Sequence, residues 1–260
     1  MATPRIYLTG RVSIENGDIL VDERQLPGRQ GRLAFVFLAV DRHRVVGRDE
    51  LVSAIWPDTQ PNEVEAALHA ILSKLRSAFK KAGLRRDDAG IDVRLGSIEL
   101  RLATDAWIDV EASANSVDEA EGALRTGDHQ RAWSLSNVVV SIARRPFLPD
   151  EEAPWIQSRR SKLRTLLVRG LQCLSTISAA HGEESLALQY ANEMVEIEPF
   201  RETAYQHLMR LHVQMGNRAE ALRVFGCCRE LLKEELGASP SPETEALFLE
   251  ILRGRSPVPG

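Results

Sequence analysis

Gly182 and Gly216 each stand five residues ahead of an alanine, Ala187 and Ala221, and the two pairs lie 34 residues apart. Leu188 and Leu222 keep the same offset, and Gly127 with Ala132 repeats the local spacing. A 34-residue period with a small residue at the close crossing, and Pro199 at a helix boundary, is the tetratricopeptide pattern of paired helices. One such pair cannot bury its apolar face alone, so pairs stack and leave a groove. Helices are expected over about 111–125, 128–142, 152–180, 184–197, 200–214, 217–235 and 243–252. Ser241-Pro242 reads as the cap and first turn of the last one.

Ahead of residue 105 the text is different. Ile6-Tyr-Leu8, Val12-Ser-Ile14 and Ile19-Leu-Val21 are short apolar and β-branched runs, with Asn16-Gly17 as a tight-turn signal. Residues 29–41 are apolar on every side, which suits a buried helix, and 48–56 gives a second short helix ended by Pro57. In residues 62–83, Leu68, Ile71, Leu72, Leu75, Phe79 and Ala82 recur at the spacing of one buried helical face. Lys74, Arg76, Lys80, Lys81, Arg85 and Arg86 fall on the other faces or just beyond, and no acid lies between Ala66 and Arg86. Asn62 is the expected N-cap. Residues 91–102 alternate, and a Gly96-Ser97 turn would set Arg94 opposite Glu99 and Asp92 opposite Arg101. From Trp107 onward strand signals stop.

Strands, three helices and a hairpin, in that order, describe a winged helix-turn-helix. The expected fold is therefore mostly α with a small β component: a winged helix-turn-helix over 1–104, then an all-α tetratricopeptide-like repeat domain over 105–260. Charge follows the same division. Residues 1–104 carry 16 Lys/Arg against 14 Asp/Glu, and residues 105–260 carry 17 against 23. A basic first part and an acidic second part fit a chain of which one domain meets phosphates.

Other classes find little support. No apolar run approaches the roughly 20 residues that span a bilayer, and no signal region opens the chain, so a cytoplasmic protein without a membrane partner is expected. Cys173, Cys227 and Cys228 have no metal-like spacing and read as core thiols. His207 and His212 lack a third ligand, so neither metal nor cofactor is expected. Phosphate-binding Gly-rich loops, His-Glu-x-x-His and nucleophile elbows are missing, which argues against an enzyme.

The run RDELVSAIWPD followed by LSKLRSAF resembles the OmpR/PhoB-type winged-helix DNA-binding domain. Arg145-Pro-Phe-Leu-Pro-Asp150, Trp155, Arg159-Arg160 and EELGASPSPET resemble the bacterial transcriptional activator domain. The pair is similar to the Streptomyces antibiotic regulatory protein family over roughly residues 4–252. That resemblance implies an activator that binds direct repeats in double-stranded promoter DNA, with a homodimer on the repeats, and contacts RNA polymerase. By motif position it puts Ala66, Ala67, His69, Ser73 and Lys74 at bases or adjacent phosphates. Arg48, Trp56, Arg76 and Lys80 would meet the backbone, and Arg94 or Arg101 would carry the wing's contact. Lys81 belongs with the phosphate neutralisers on charge alone. The turn from Trp56 to Pro61 would face the polymerase, and the helical groove would suit a peptide or a small effector. The outer face has Ala66, Ala70, Ser73 and Ser77 where the family often carries Arg, Thr or Gln. This leaves open a second reading, a protein-interaction adaptor whose winged helix no longer reads DNA.

Overall fold

In the computed structural model, which describes residues 3–85 and 88–254, the first element is a sheet of short strands. β1 (Arg5–Tyr7), β2 (Ser13–Asn16) and β3 (Ile19–Val21) form an antiparallel meander. The β2–β3 turn is Gly17-Asp18, since Asn16 still pairs with Ile19. Asn16 is thereby freed from the expected turn position, and its Nδ2 donates to the Ala82 carbonyl at 3.1 Å.

α1 (Gly28–Val40) is buried from Leu33 through Ala39, as its uniformly apolar text requires. β4 (Val46–Gly47) leads into α2 (Arg48–Ile55), and both α2 and α3 (Val64–Lys81) pack on α1. Phe35 of α1 meets Phe79 of α3 edge to face, ring centroids 5.8 Å apart. β5 (Ala89–Arg94) and β6 (Ser97–Leu102) make the expected hairpin, and β4 adds to the β6 edge.

Strand structure does not stop at residue 107. β7 (Trp107–Ile108) pairs parallel with β1, Arg5 opposite Trp107 and Ile6 opposite Ile108. Two residues are too few for any period to show in sequence. β7 runs directly into α4 (Asp109–Arg125), whose first residue is wholly buried. Asp109 accepts from the Leu8 and Thr9 amides at 3.0 and 2.9 Å, and from Thr9 Oγ1 at 2.8 Å.

α5 (His129–Ala143) and α6 (Pro154–Ala180) follow, then α7 (Glu184–Ile197), α8 (Glu202–Gln214), α9 (Arg218–Leu236) and α10 (Pro242–Leu252). The described residues group into two compact units, one from residues up to Asn115 with Ile142–Leu163, the other from Ser116–Ser141 with residues from Arg164 on. The first unit thus includes the Arg145–Asp150 segment. Its Pro146 carbonyl accepts from Gly10 N at 2.7 Å. Trp155 Nε1 donates to the Ala54 carbonyl at 3.2 Å, with its ring edge-on to Phe37. Arg159 reaches Asp41 at 2.8 Å, and the Arg160 guanidinium binds the carbonyls of Phe147, Leu148 and Glu151. These recognisable residues are packing and anchoring groups.

In the second unit Ala132, Ala187 and Ala221, the alanines of the repeat, are wholly buried. EELGASPSPET is a helix stop and restart. Gly237 takes the left-handed conformation at φ 63°, and Ala238 N and Gly237 N bond back to Leu232 and Lys233, a Schellman closure. Ser241 then caps α10, with Glu202 Oε2 accepting from its amide and hydroxyl at 2.8 Å. Cys173 and Cys228 are buried as expected, but Cys227 is exposed, because one-residue steps on a helix turn neighbours to different sides.

Two features of this unit yield predictions. A Cβ on Gly170 would lie 2.9 Å from Val139 Cγ1 and 3.2 Å from Val140 Cγ2. Val139 is β-branched and has little freedom to turn away. Gly170→Val should lower unfolding free energy by about 2 kcal/mol or more, measured by urea titration, despite the better helix propensity of valine.

The second concerns His207, whose Nε2 lies 2.9 Å from Ser175 Oγ while that hydroxyl donates to the Ala187 carbonyl at 2.8 Å. Since the serine proton is committed, His207 must carry its own on Nε2. Burial, with the nearby Arg210 charge, pushes its pKa from 6.5 down to about 4. The unfolded chain therefore takes up this proton first. The stability that the neutral ring contributes is complete above pH 6.5 and is lost as pH falls through about 4, on the order of 3 kcal/mol. Thermal unfolding of His207→Gln against the parent should show a shallower decline across that window.

Candidate nucleic-acid interface

α3 owes its position to one stripe. Leu68, Ile71, Leu72, Leu75, Ala78 and Phe79 are buried, which leaves the remaining faces outward. Its N-cap is Glu63, without a side-chain hydrogen bond, and not the Asn62 expected from capping preference. Asn62 sits one residue early and exposed, so the chain enters the helix from a turn whose course no local preference decides.

On the outer side Ala66, His69, Ser73 and Lys74 are exposed and Ala67 is half-buried. Ala66, Ala70 and Ser73 are small, and a surface can approach this part of the helix closely. Further along, Arg76, Lys80 and Lys81 are exposed. Lys74, Lys80 and Lys81 make no hydrogen bond or ion pair among the described residues. Arg76 is different: its Nη2 donates to the Ile91 carbonyl at 2.8 Å and ties α3 to β5. Arg85 donates from Nε toward Asp88 Oδ2 at 3.5 Å, whereas Arg86 lies outside the described residues.

Arg48, at the start of α2, forms an ion pair with Glu65 in the first turn of α3. The resemblance puts Arg48 at the DNA backbone, and no sequence pattern reveals that it meets Glu65. Trp56 ends α2 half-buried, its amide bonded to Val52 O at 2.9 Å, and Pro57 to Gln60 are exposed.

The wing differs from its expected register by one step. Arg94 pairs with Ser97, Val93 with Ile98 and Asp92 with Glu99, so the turn is Leu95-Gly96. Gly96 supplies the positive φ, 75°, that the second turn position demands. Both turns keep Ile98 and Leu100 on the core face, where they are buried, because the cross-strand partners shift by two residues; the observed one sets Ile98 opposite Val93 and Leu100 opposite Ile91. The consequence is electrostatic. Glu99 stands opposite Asp92, and Arg94 is exposed without a hydrogen bond or ion pair among the described residues. Arg101 Nε donates to Asp92 Oδ2 at 3.2 Å on the diagonal.

Between α3 and β5 runs an open cleft of about 1120 Å³. Arg76, Lys80, Arg85, Arg94 and Arg101 line it, with Asp92 the one acid among the described lining residues. Five cations around one acid at the border of an exposed helix and a hairpin can neutralise a chain of phosphates. Among the described residues no group of three or more His, Cys, Asp or Glu could hold a metal, and no helix is long and apolar enough to cross a membrane.

Known proteins resemble this chain in sequence and in fold. The regulatory protein AfsR of Streptomyces griseus is 27% identical over 226 residues, 86% of this chain and 22% of that protein. The transcriptional regulator RedD of Streptomyces coelicolor is 26% identical over 218 residues, 83% of this chain and 61% of its own. The chain therefore spans only about a fifth of the AfsR length. In fold it is similar to the structure of Mycobacterium tuberculosis EmbR in complex with a low affinity phosphopeptide. The TM-score is 0.86 at 20% identity, over 100% of this chain and 67% of that one. Residues 108–252, more than half of the chain, match the bacterial transcriptional activator domain, and with that match the chain belongs to the family that carries it.

Proposed function

We propose that this protein is a DNA-binding transcriptional activator that docks on promoter repeats and recruits RNA polymerase. The observation that carries the reading is the outer face of α3, acid-free from Ala66 onward, beside a wing whose Arg94 has no acidic partner among the described residues. Names of the relatives, regulatory protein and transcriptional regulator, point the same way.

In this reading α3 lies in the major groove. Ala66, Ala67, His69, Ser73 and Lys74 face bases, and Lys80 and Lys81 neutralise phosphates. Arg76 chiefly positions β5, and Arg48 must exchange Glu65 for phosphate to contact the backbone. Trp56 offers the backbone its indole N–H, and the turn after it faces the polymerase. Arg94, with Arg101 behind it, is the wing's contact with the adjacent groove. Residues 1–104 hold this DNA surface, while residues 105–260 mediate self-association on the repeats or hold a peptide or small effector. The protein acts in the cytoplasm by recruitment and catalyses no reaction.

Small residues at Ala66 and Ala70 favour one competing reading, an adaptor that has given up base recognition. Selection of bound sites from a random duplex library by the full chain separates the two. Recovery of a repeated motif, with retardation that weakens as salt rises, supports the activator; no retardation of any duplex at low salt refutes it.

A further inference from the structure

A second cavity, of about 420 Å³, shares no lining residue with the cleft beside α3. Its volume is that of a small-ligand site. Arg11, Arg24, Arg29 and Arg32 line it, with Asp22, Glu23 and Gly28 completing the described wall.

Two of the four arginines are held. Arg29 Nε donates to the buried Glu151 at 2.8 Å, and Arg32 pairs with Glu23 and reaches Glu151 at 3.3 Å. Asp22 is committed as well: it caps the short turn Glu23–Gln25, its Oδ1 accepting from Arg24 N at 3.0 Å. Arg11 and Arg24 are exposed, and their side chains make no hydrogen bond or ion pair among the described residues. Deeper in, Arg32 Nε is buried and has no acceptor. Buried donors in folded proteins nearly always have one, so a ligand oxygen would complete this group. α1 also begins here without a side-chain cap, and the amides of its first turn favour the same negative charge.

Guanidinium groups take phosphoryl oxygens through paired N–H donors. Among the described residues no apolar or aromatic side chain lines the cavity, so it offers no platform for a base or an acyl chain. Asp22 and Glu23 interrupt its positive charge, unlike the outer face of α3, which carries no acid from Ala66 onward. That interruption suits a compact anion and not the continuous backbone of a duplex.

We propose that this cavity binds a small anion of two linked phosphoryl groups, one for each free guanidinium, with Arg11 and Arg24 as its principal ligands and Arg32 Nε as a buried donor. The site is independent of the DNA-binding reading and lies outside the helical repeat.

Pyrophosphate is the probe and the full chain the protein. The unfolding midpoint of the parent should rise with pyrophosphate concentration, and calorimetric titration should give one site. Arg11→Ala combined with Arg24→Ala should weaken binding about tenfold or more and leave the midpoint without pyrophosphate unchanged, because neither side chain holds another group. Lys74→Ala, Lys80→Ala and Lys81→Ala combined should bind pyrophosphate like the parent. If the parent binds none at millimolar concentration, or the double arginine variant binds as tightly as the parent, the inference falls and the DNA-binding reading is untouched. If the lysine variant loses the binding, the anion sits on α3 and the cavity is not its site. If the double arginine variant lowers the salt slope of duplex binding by about two, Arg11 and Arg24 meet a DNA backbone and the small-anion assignment is overturned.

Discussion

Asp109→Ala should unfold at markedly lower urea, with a loss of about 3–5 kcal/mol. The carboxylate is wholly buried and accepts from Leu8 N, Thr9 N and Thr9 Oγ1. Its removal strands three donors that water cannot reach, at about 1–3 kcal/mol each before relaxation. The damage should be concentrated where β1 and β7 pair, so amide exchange at Leu8 and Thr9 should accelerate most. Asp109→Asn keeps one acceptor oxygen and should lose less. Burial pushes the Asp109 carboxyl above its ordinary value against the pull of those donors. The native protein therefore holds this proton more tightly than the unfolded chain. Stability from the group is complete below pH 3.8 and falls as pH rises through the raised value, a slope that asparagine should abolish. If Asp109→Ala unfolded within about 0.5 kcal/mol of the parent, the carboxylate would not organise this junction.

Lys74→Ala, Lys80→Ala and Lys81→Ala combined should leave folding intact and weaken DNA binding broadly. All three side chains are exposed, and among the described residues none makes a hydrogen bond or ion pair to another element. If each neutralises one phosphate, the slope of log affinity against log salt should fall by nearly three, because each contact contributes about 0.9. The loss should be similar on selected and unrelated duplexes, since phosphates carry no sequence. His69→Ala and Ser73→Ala should instead alter preference among duplexes with little change in slope. An unchanged slope in the triple variant, with thermal unfolding also unchanged, would move the phosphate contact away from this end of α3.

The helices of this protein were legible in the sequence because the information for them is local. The apolar stripe of α3 and the 34-residue recurrence that buries Ala187 and Ala221 need only a period of 3.6 and a small residue at a crossing. Ser241-Pro242 opening α10 was equally readable from capping chemistry.

The wing shows where local information ends. Both Gly96-Ser97 and Leu95-Gly96 are acceptable turns, and they differ by one residue. The second is the one held from outside the hairpin, where β4 pairs Val46 with Ile98 and Gly47 with Ser97 and Arg48 N donates to the Gly96 carbonyl, and it detaches Arg94 from Glu99 and puts Leu95 at the tip. Contacts distant in sequence were invisible for the same reason. The Arg48–Glu65 pair, Asp109 on Thr9, and Trp155 against Ala54 join residues that no period links. From its sequence alone this protein's helices, hairpin and basic helix face were determined, since each depends on neighbours within a few residues. Tertiary structure alone decided which cations are tied down and which side chain the wing presents, because a turn position and a long-range ion pair are set by contacts with elements distant in sequence.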